Sequence, residues 1–200
     1  MDRELAIKKL NSLKTNKINI HDLAKKYGIT VSVNGRQNKG WAGLTIHAFL
    51  GDRGNLQKPD FEWGELKTFP LKYLKNGQLT TKESMQITMT NTEGVKKHDF
   101  KNSHVYDKLK KILLVSRIVG KNYMDPTYIY SVSVFDIETE FFSRLSSDYD
   151  EIKNFIIKNG YTKSKVGNLI QVRTKGAGKK IKKSIAFYAR AKFMNKILKL

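Results

Sequence analysis

Apolar residues at helical spacing mark five segments of the chain. They recur every three or four positions, so that each segment presents one apolar face, which predicts an amphipathic helix. Gly28, Gly51 and Gly160 stand at the ends of three of these segments, in the position that commonly closes a helix. The predicted helices cover residues 2–14, 22–27, 39–51, 103–111 and 148–159.

Shorter segments show the apolar pattern of strands. Between residues 84 and 89, apolar side chains alternate with polar ones, which predicts a half-buried strand. Asn76-Gly77 is a hairpin turn sequence, and Pro70 is expected to end the strand before it because proline has no N–H for a central ladder. The predicted strands cover residues 65–68, 84–89, 112–115, 128–135 and 169–175, and residues 186–200 alternate before they turn helical. Helices and strands interleave, which predicts an α/β or α+β fold.

The composition is that of a folded chain without a disulfide framework. Of the 200 residues, 40% are apolar and 28% are charged, which indicates a single globular domain. There is no cysteine, which excludes disulfides and thiolate metal sites. The N-terminus lacks a signal-peptide pattern, and no apolar run approaches the roughly 20 residues that span a bilayer. We therefore expect a cytoplasmic protein with no membrane partner.

The net charge of +20 indicates a polyanionic partner. Residues 161–200 hold twelve Lys or Arg and no Asp or Glu, and aromatic and apolar side chains are interleaved with them. This distribution predicts a folded basic surface. Because no segment has the continuous apolar face of a membrane-surface helix, the charge favours nucleic acid over lipid.

The segment around residues 58–70 brings acids and a lysine together. Side chains alternate across a strand, so Glu65 and Lys67 share one face while Leu66 points to the other, towards the core. Asp60 lies where the chain bends and can bring a second carboxylate to the same end of the strand. Two carboxylates can hold a hard divalent cation beside a lysine that offsets negative charge, which suggests phosphodiester hydrolysis. The alternative is a solvated ion pair.

Three other features have both a structural and a functional interpretation. Gly40 and Gly43, at the start of the third helix, indicate close approach of another backbone or a ligand, or else a plain glycine-rich turn. His47 is either a core or interface histidine or a residue that faces the acidic strand. Lys108 shares a helical side with Lys111, and the alternative for both is a solvated helix surface.

Three blocks of sequence, in this order, resemble the MutH family, which includes a mismatch-repair nicking endonuclease and restriction endonucleases that cut at GATC. The first block is Lys39-Gly40-Trp41-Ala42-Gly43. The second joins Asp60 to Glu65-Leu66-Lys67-Thr68-Phe69-Pro70, the PD-(D/E)xK nuclease signature. The third runs from Ser103-His104-Val105 to Lys108-Leu109-Lys110. The resemblance covers nearly the whole chain and implies a restriction-endonuclease-like fold, with a mixed central β-sheet flanked by helices.

The resemblance implies a role for each matching residue. Asp60 and Glu65 would bind Mg²⁺, or Mn²⁺ in its place, while Lys67 would position the attacking water or stabilise charge. Lys108 matches a second active-site lysine. Tyr188 falls where the family has a tyrosine involved in sensing adenine. The further residues that we expect to contact DNA, from the resemblance or from the basic C-terminal segment, are Lys39, Arg173, Lys175, Lys179, Lys180 and Lys192.

Two features depart from the family pattern. His47 stands where the family commonly has an acidic residue on the first-block helix, so a third acidic ligand is missing and His47 is a candidate ligand that favours Mn²⁺. Asp60 and Glu65 are separated by four residues, where relatives have six. This shorter spacing predicts a tighter entry into the strand, with Glu62 as a substitute or helper for Asp60.

The expected function is that of a Mg²⁺-dependent, sequence-specific endonuclease acting on double-stranded DNA. We favour a type II restriction enzyme that cuts at GATC, because residues 74–78 and 81–83 look like the restriction members of the family. The alternatives are a mismatch-repair endonuclease that nicks hemimethylated GATC with partner proteins, and a catalytically silent DNA-binding domain. We expect a monomer or a transient dimer on DNA, with residues 1–150 as the catalytic lobe and residues 151–200 as a basic DNA-reading lobe.

Overall fold

The computed structural model describes residues 1–51, 60–138, 140–175 and 184–200. Within these residues the helices are α1 (Arg3–Thr15), α2 (Ile20–Lys26), α3 (Trp41–Leu50), α4 (Thr92–Lys97), α5 (His104–Leu109), α6 (Phe142–Asn159) and α7 (Ala191–Leu198). The strands are β1 (Ser32–Val33), β2 (Arg36–Gln37), β3 (Glu65–Tyr73), β4 (Leu79–Thr81), β5 (Met85–Thr90), β6 (Lys111–Ile118), β7 (Tyr128–Asp136), β8 (Ile170–Thr174) and β9 (Ile185–Ala189). In these four ranges, no helix has both the length and the apolar character needed to cross a membrane.

The chain forms two compact units. The first unit comprises Met1–Lys82 and Ile112–Phe135, and the second comprises Glu83–Lys111 and Asp136–Leu200. The chain leaves the first unit and later returns to it, so neither unit is one continuous piece of sequence. A division of function at residue 150 stays a prediction.

The first unit is built on a mixed four-stranded sheet, in the order β4-β3-β6-β7. β3 runs antiparallel to β4 and parallel to β6. Helices α1, α2 and α3 share one apolar core with this sheet, and its buried members include Leu10, Ile20, Ile46, Leu66 and Leu113. The predicted mixed α and β architecture, with helices flanking a mixed sheet, is confirmed.

β3 continues through Pro70 to Tyr73, so the prediction that it ends at Pro70 is wrong. The Pro70 carbonyl accepts the Lys82 N–H at 2.9 Å, on the β4 side of the strand. Because the N–H and C=O groups of one residue lie on the same side of an extended strand, the missing N–H of Pro70 also belongs to the β4 side. Pro70 lies just beyond Leu71, the residue of β3 that pairs with the last β4 residue, Thr81. The missing N–H therefore interrupts neither the ladder to β4 nor the ladder to β6 on the other side of the strand. The Asn76-Gly77 hairpin turn between β3 and β4 is confirmed.

Helix α3 begins without a side-chain cap. Gly40 precedes it in a left-handed conformation, with φ 91°, and Gly51 ends it with φ 83°. No described atom outside its chain neighbours lies within 4 Å of a Cβ built on Gly40, so the prediction of close backbone approach is wrong there. The backbone conformation is what requires glycine. A Cβ on Gly43 would lie 3.5 Å from Thr68 Oγ1, which is an ordinary van der Waals contact between α3 and β3.

The second unit contains a three-stranded antiparallel sheet in the order β5-β9-β8. The prediction that residues 186–200 alternate before they turn helical agrees with β9 and α7, and all five residues of β9 are buried. β9 is the central strand of this sheet, with β5 and β8 on either side of it. In β5, the register shifts between Gln86 and Thr88, which marks a β-bulge at Ile87.

Helix α6 begins at Phe142, well before the acidic residues at which we predict its start. Asp148 is buried inside the helix instead of standing at its N-terminus. Its Oδ2 accepts the backbone N–H of Leu169 and, at 2.9 Å, that of Ile170, so it fixes the start of β8. The predicted end of α6 is confirmed, because Gly160 caps it in a left-handed conformation with φ 70°.

Candidate active site

A tight turn brings Asp60 to the start of β3. Phe61 and Gly64 exchange two backbone hydrogen bonds, of 3.0 and 3.1 Å, across a turn of two residues. Gly64 has φ 147°, a conformation that side-chain-bearing residues rarely adopt. The turn directs the Asp60 carboxylate onto the backbone N–H of Leu66, which lies 2.9 Å from Oδ2. The entry into the strand is therefore tight, as the short spacing between the acids predicts.

Glu65 and Lys67 form a buried ion pair on one face of β3. The Lys67 Nζ lies 2.6 Å from the Glu65 Oε1, and the two side chains are 23% and 4% exposed. Leu66, between them, is 3% exposed and belongs to the core on the other face. The predicted alternation is confirmed, and the interpretation as a solvated ion pair is wrong. Because Glu65 is buried and Lys67 is partly withdrawn from water, the pair costs desolvation energy that a surface pair avoids.

The Asp60 carboxyl is held in a setting that resists its ionisation. Burial raises its pKa above the usual value, and the nearby charge of Glu65 raises the pKa further. The Leu66 N–H, together with the neighbouring His47 and Lys67, acts in the opposite direction and lowers the pKa, but the net shift is upward. Two carboxylates close together in a water-poor setting repel each other, and a bound cation would relieve that repulsion.

His47 faces the acidic end of β3. Its Nε2 lies 3.6 Å from the Asp60 Oδ2, and both side chains are largely buried. The imidazole stacks on Phe61, with 6.0 Å between ring centroids and 5° between planes. Phe61 stacks in turn on Trp63, at 4.7 Å and 6°, and the Trp63 Nε1–H donates to the Met1 carbonyl at 3.1 Å. Of the two interpretations left open by the sequence, a histidine that faces the acidic strand is confirmed.

Asp60 and Glu65 are the two carboxylates that could hold a metal at this end of β3. Among the described residues, no group of three or more His, Cys, Asp or Glu is arranged to hold a metal, so His47 approaches Asp60 without completing a set of three. Glu62 is exposed in the turn, whereas the Asp60 side chain is only 11% exposed and hydrogen-bonded in place. Two carboxylates completed by water and substrate oxygens are a common arrangement for Mg²⁺.

Comparison with known proteins assigns the chain to a family. A family model described as "DNA mismatch repair enzyme MutH" matches residues 49–148, half of the chain, and this range contains Asp60, Glu65 and Lys67. The DNA mismatch repair protein MutH of Vibrio cholerae serotype O1 (strain ATCC 39541 / Classical Ogawa 395 / O395) is 30% identical over 172 residues, covering 78% of this chain and 72% of the relative. This chain belongs to the MutH family. The resemblance seen in the three sequence blocks is thereby confirmed.

Other MutH proteins match over similar or longer ranges. The DNA mismatch repair protein MutH of Haemophilus influenzae (strain 86-028NP) is 28% identical over 198 residues, which covers 89% of this chain and 86% of the relative. That of Actinobacillus pleuropneumoniae serotype 5b (strain L20) is 26% identical over 167 residues, covering 80% and 71%. Membership of the MutH family implies a nuclease that acts on DNA.

The structure places two further residues of the MutH pattern on separate elements. Lys39 is exposed and lies between the β1–β2 hairpin and α3. It lines one end of an open groove on the hairpin, together with Val33, Asn34, Arg36, Gln37 and Asn38. Lys108 is half-buried in the last turn of α5, within the second unit. Their roles at the DNA backbone and in catalysis stay predictions.

Three of the residues predicted to contact DNA come together in the second unit. The Arg173 guanidinium carbon lies 4.6 Å from the centroid of the Tyr188 ring, and the Lys175 Nζ lies 5.2 Å from the same centroid. Sequence analysis does not single out two polar residues that join this cluster, Ser84 and Gln86. The Arg173 Nη2 donates to the Ser84 Oγ at 3.3 Å, and the Tyr188 hydroxyl donates to the Gln86 Oε1 at 3.3 Å.

The remaining predicted DNA contacts differ in their surroundings. Lys192 donates to the Asn168 Oδ1, so this lysine is tied to the loop before β8. Nearby, Arg190 donates to three backbone carbonyls of the same loop, those of Ser164, Val166 and Gly167. Part of the positive charge in this region therefore organises the loop. Lys179 and Lys180 lie outside the described residues.

Proposed function

We propose that this chain is a metal-dependent, sequence-specific DNA endonuclease. The observation that carries the proposal is the buried arrangement of Asp60, Glu65 and Lys67 at the start of β3, in a chain of the MutH family. Buried ion pairs contribute little net stability, because desolvation offsets most of their attraction. A chemical role explains why two acids and a lysine occupy this water-poor position.

Mg²⁺ is the proposed metal, with Mn²⁺ as the alternative. Asp60 and Glu65 offer the hard oxygen ligands that Mg²⁺ prefers, and the pKa of Asp60, which burial and the charge of Glu65 raise, is one that a bound cation would lower. When bound, the ion would polarise the scissile phosphate as a Lewis acid. The donor set therefore fits the metal that the family resemblance implies.

Side chains of the first unit would prepare the phosphate for attack by water. Asp60 is fixed through Oδ2 by the Leu66 N–H, so its Oδ1 can be presented without rearrangement. Lys67 is held at 2.6 Å from Glu65 and can offer its remaining N–H donors to a phosphate oxygen or to the attacking water. Such charge-assisted donors stabilise the negative charge that develops in the transition state. We propose direct attack by water, with no covalent intermediate.

The proposed substrate is double-stranded DNA. A net charge of +20, with twelve basic and no acidic residues in residues 161–200, supports strong attraction to the phosphate backbone. The cluster around Tyr188 supplies side chains that can reach base edges. GATC as the recognition sequence, and a cytoplasmic location, are proposed from the family resemblance and from the sequence.

Two biological roles fit this chemistry. We favour a restriction enzyme that cuts both strands of unmodified sites, because the segments at residues 74–78 and 81–83 resemble restriction members of the family. The second candidate is a repair endonuclease that nicks one strand and depends on partner proteins. The names of the compared relatives, all DNA mismatch repair proteins MutH, favour this second role.

The deciding experiment incubates the purified chain with GATC-containing plasmids that are unmethylated, hemimethylated or fully methylated, in Mg²⁺ or Mn²⁺, and maps the ends. Full double-strand cleavage of unmethylated plasmid by the protein alone supports the restriction role. Nicking alone, or activity only with added repair proteins, supports the repair role. No cleavage of any plasmid, with or without added repair proteins, contradicts the proposal of an endonuclease and leaves a silent DNA-binding domain.

The site assignment is tested with three alanine variants. Asp60→Ala and Lys67→Ala are expected to abolish cleavage while DNA binding persists. Lys72→Ala is the matched control, because Lys72 is an exposed lysine on the same strand. Cleavage that survives in either of the first two variants, at the wild-type rate, would show that the active site lies elsewhere.

A further inference from the structure

The sheet of the second unit carries a row of polar side chains across its three strands. Gln86 of β5 pairs with Tyr188 of β9, and Tyr188 pairs with Gln171 of β8. Residues directly opposite each other in neighbouring strands project from the same face of a sheet. The three side chains therefore stand side by side. On the adjacent β9 positions, Phe187 and Ala189 are fully buried.

Hydrogen bonds hold the members of this row in place. The Tyr188 hydroxyl donates to the Gln86 Oε1 at 3.3 Å. The Ser84 Oγ accepts two donors, the Gln171 Nε2 and the Arg173 Nη2, each at 3.3 Å. Side chains mounted on paired strands and bonded to each other keep a defined geometry, as recognition of a base edge requires.

Tyr188 forms the centre of the row and supports two cations. Tyr188 is 8% exposed, whereas Gln86 and Arg173, on either side of it, are exposed. Arg173 and Lys175 both lie over its ring, at 4.6 and 5.2 Å from the centroid. Significant cation–π pairs occur about once per 70–80 residues, so two on one ring are a concentrated feature. With no acid in residues 161–200, this surface attracts a polyanion.

We propose that Gln86 is a specificity-determining residue that pairs with an adenine in the major groove, in an orientation set by the Tyr188 hydroxyl. This inference rests on the proposed function and names the base that one new residue recognises. A glutamine amide pairs bidentately with the N6 and N7 atoms of adenine. The Tyr188 O–H identifies the Gln86 oxygen as the end nearest the ring, which leaves its second lone pair and the Nε2–H donors for the base.

The neighbouring residues suit the same function. Arg173 is stacked and hydrogen-bonded in place, and an arginine held in this way can pair with the O6 and N7 atoms of guanine. The bulge at Ile87 changes the register directly after Gln86, and bulges re-aim the side chains next to them. A glutamine and an arginine flanking one tyrosine thus form a surface for adjacent adenine and guanine bases.

The test measures which DNA sequences the protein binds, under conditions that do not require cleavage. Wild type, Gln86→Met, Tyr188→Phe and the double variant are each incubated in EDTA with a pool of duplexes randomised at eight central positions, and the bound DNA is sequenced. Methionine keeps the length of glutamine without its hydrogen bonds. We expect both single variants to lose preference at the same adenine position, by roughly 5- to 150-fold. The double variant should lose no more than either one, because the two groups act as one unit.

A matched control separates recognition from a general effect of the substitution. Gln78→Met changes an exposed glutamine in the β3–β4 turn and should leave the selected sequence unchanged. The inference fails if Gln86→Met selects the wild-type sequence, if it weakens all positions equally, or if the two single losses add. Cleavage plays no part in this readout. A wild type that selects one sequence without cutting it counts against the proposed endonuclease alone, and one that cuts but shows no Gln86 dependence counts against this inference alone.

Discussion

The carboxylate of Asp60 is a charge that the folded protein holds at a cost. Burial and the neighbouring Glu65 raise its pKa in the folded state, so the folded chain binds this proton more tightly than the unfolded chain does. Stability is therefore lost as the pH rises from the ordinary value of 3.8 through the raised pKa, and the loss is complete above it. The residue that we propose to bind a metal thus weakens the metal-free fold.

Asp60→Asn should separate stability from activity. The amide oxygen can still accept the Leu66 N–H, but the charge is gone. We expect cleavage to be lost and the melting temperature in EDTA at about pH 8 to rise, where 1 kcal/mol corresponds to roughly 2–4 °C. The difference from wild type should shrink as the pH falls towards the ordinary value of 3.8, because a growing share of the wild-type carboxyls binds a proton.

Scanning fluorimetry with and without Mg²⁺ provides the control for this variant. The metal should raise the melting temperature of wild type and not that of Asp60→Asn, because it binds only the intact site. Asp150→Asn, at an exposed acid of α6, should match wild type in both conditions. A variant less stable than wild type at the higher pH would show that the charge of Asp60 supports the fold.

Substitution of Gly64 tests whether the turn between Phe61 and Gly64 positions Asp60. Alanine at φ 147° is strained, so Gly64→Ala should open the turn and move the Asp60 carboxylate away from Leu66. Gly77→Ala is the control, because Gly77 also has a positive φ, of 79°, in the β3–β4 hairpin. Both variants should lose stability, while only Gly64→Ala should also lose cleavage and Mg²⁺-dependent stabilisation. Equal activity in the two would show that Asp60 does not depend on this turn.

At the scale of single residues, the sequence predicts only those features that depend on strand periodicity. The shared face of Glu65 and Lys67, opposite Leu66, follows from alternation and is found in the structure. The bond from the Leu66 N–H to Asp60 depends on the exact turn between them, which alternation does not contain. The sequence does not single out Gln86 for a similar reason: its pairing and hydrogen-bonding partner, Tyr188, lies about a hundred residues later in the chain.

At the scale of elements, the contact between α6 and β8 depends on one buried acid. Asp148 accepts two backbone N–H groups, and both donor residues, Leu169 and Ile170, are buried. Asp148→Ala would leave two donors without a partner inside the protein, at a cost of about 1–3 kcal/mol each. We expect a clear loss of stability in urea denaturation and faster amide exchange at the two donors.

Asp148→Asn serves as the comparison, because one amide oxygen can take over both hydrogen bonds. It should retain most of the stability that alanine loses. If asparagine and alanine were equally destabilising, the charge of Asp148 would matter more than its capacity to accept hydrogen bonds. Amide exchange at β8 distinguishes a local opening from unfolding of the whole chain.

Most elements could be predicted from the sequence, and the errors share a cause. Helices such as α1 and α3 were found because their apolar periodicity is local. The start of α6 was misplaced because an acid cluster resembles a helix N-terminus, whereas Asp148 serves a strand that follows much later. The sequence predicts an end of β3 at Pro70, whereas the strand continues. Proline is tolerated there because β4 ends before it reaches the missing N–H of Pro70, and the sequence pattern does not contain that end point. In each case a tertiary contact overrides a local rule.

At the scale of the whole molecule, the net charge of +20 predicts binding to DNA that depends strongly on salt. For roughly 6–10 phosphate contacts, affinity should fall about 10³–10⁵-fold between about 50 and 200 mM salt. Fluorescence anisotropy with a labelled duplex measures this slope in EDTA, where no cleavage interferes. A salt-insensitive affinity would contradict a binding mode dominated by phosphate contacts.

The sequence pattern does not predict how the strands are divided between the two larger sheets. Apolar periodicity indicates that strands exist, but it does not predict that β4 pairs with β3 whereas β5 pairs with β9. Such long-range pairings are decided by packing and register rather than by local sequence. The family resemblance supplies the general architecture, and the structure adds which strands share a sheet.

The turn closed by Phe61 and Gly64 has a consequence for finding related enzymes. It holds the two acids at one end of β3 although only four residues separate them along the chain. A motif search that requires a fixed gap between the acids would therefore overlook such chains. A better search criterion is a carboxylate able to accept the first N–H beyond the second acid, since loop lengths can vary while that anchoring point stays the same.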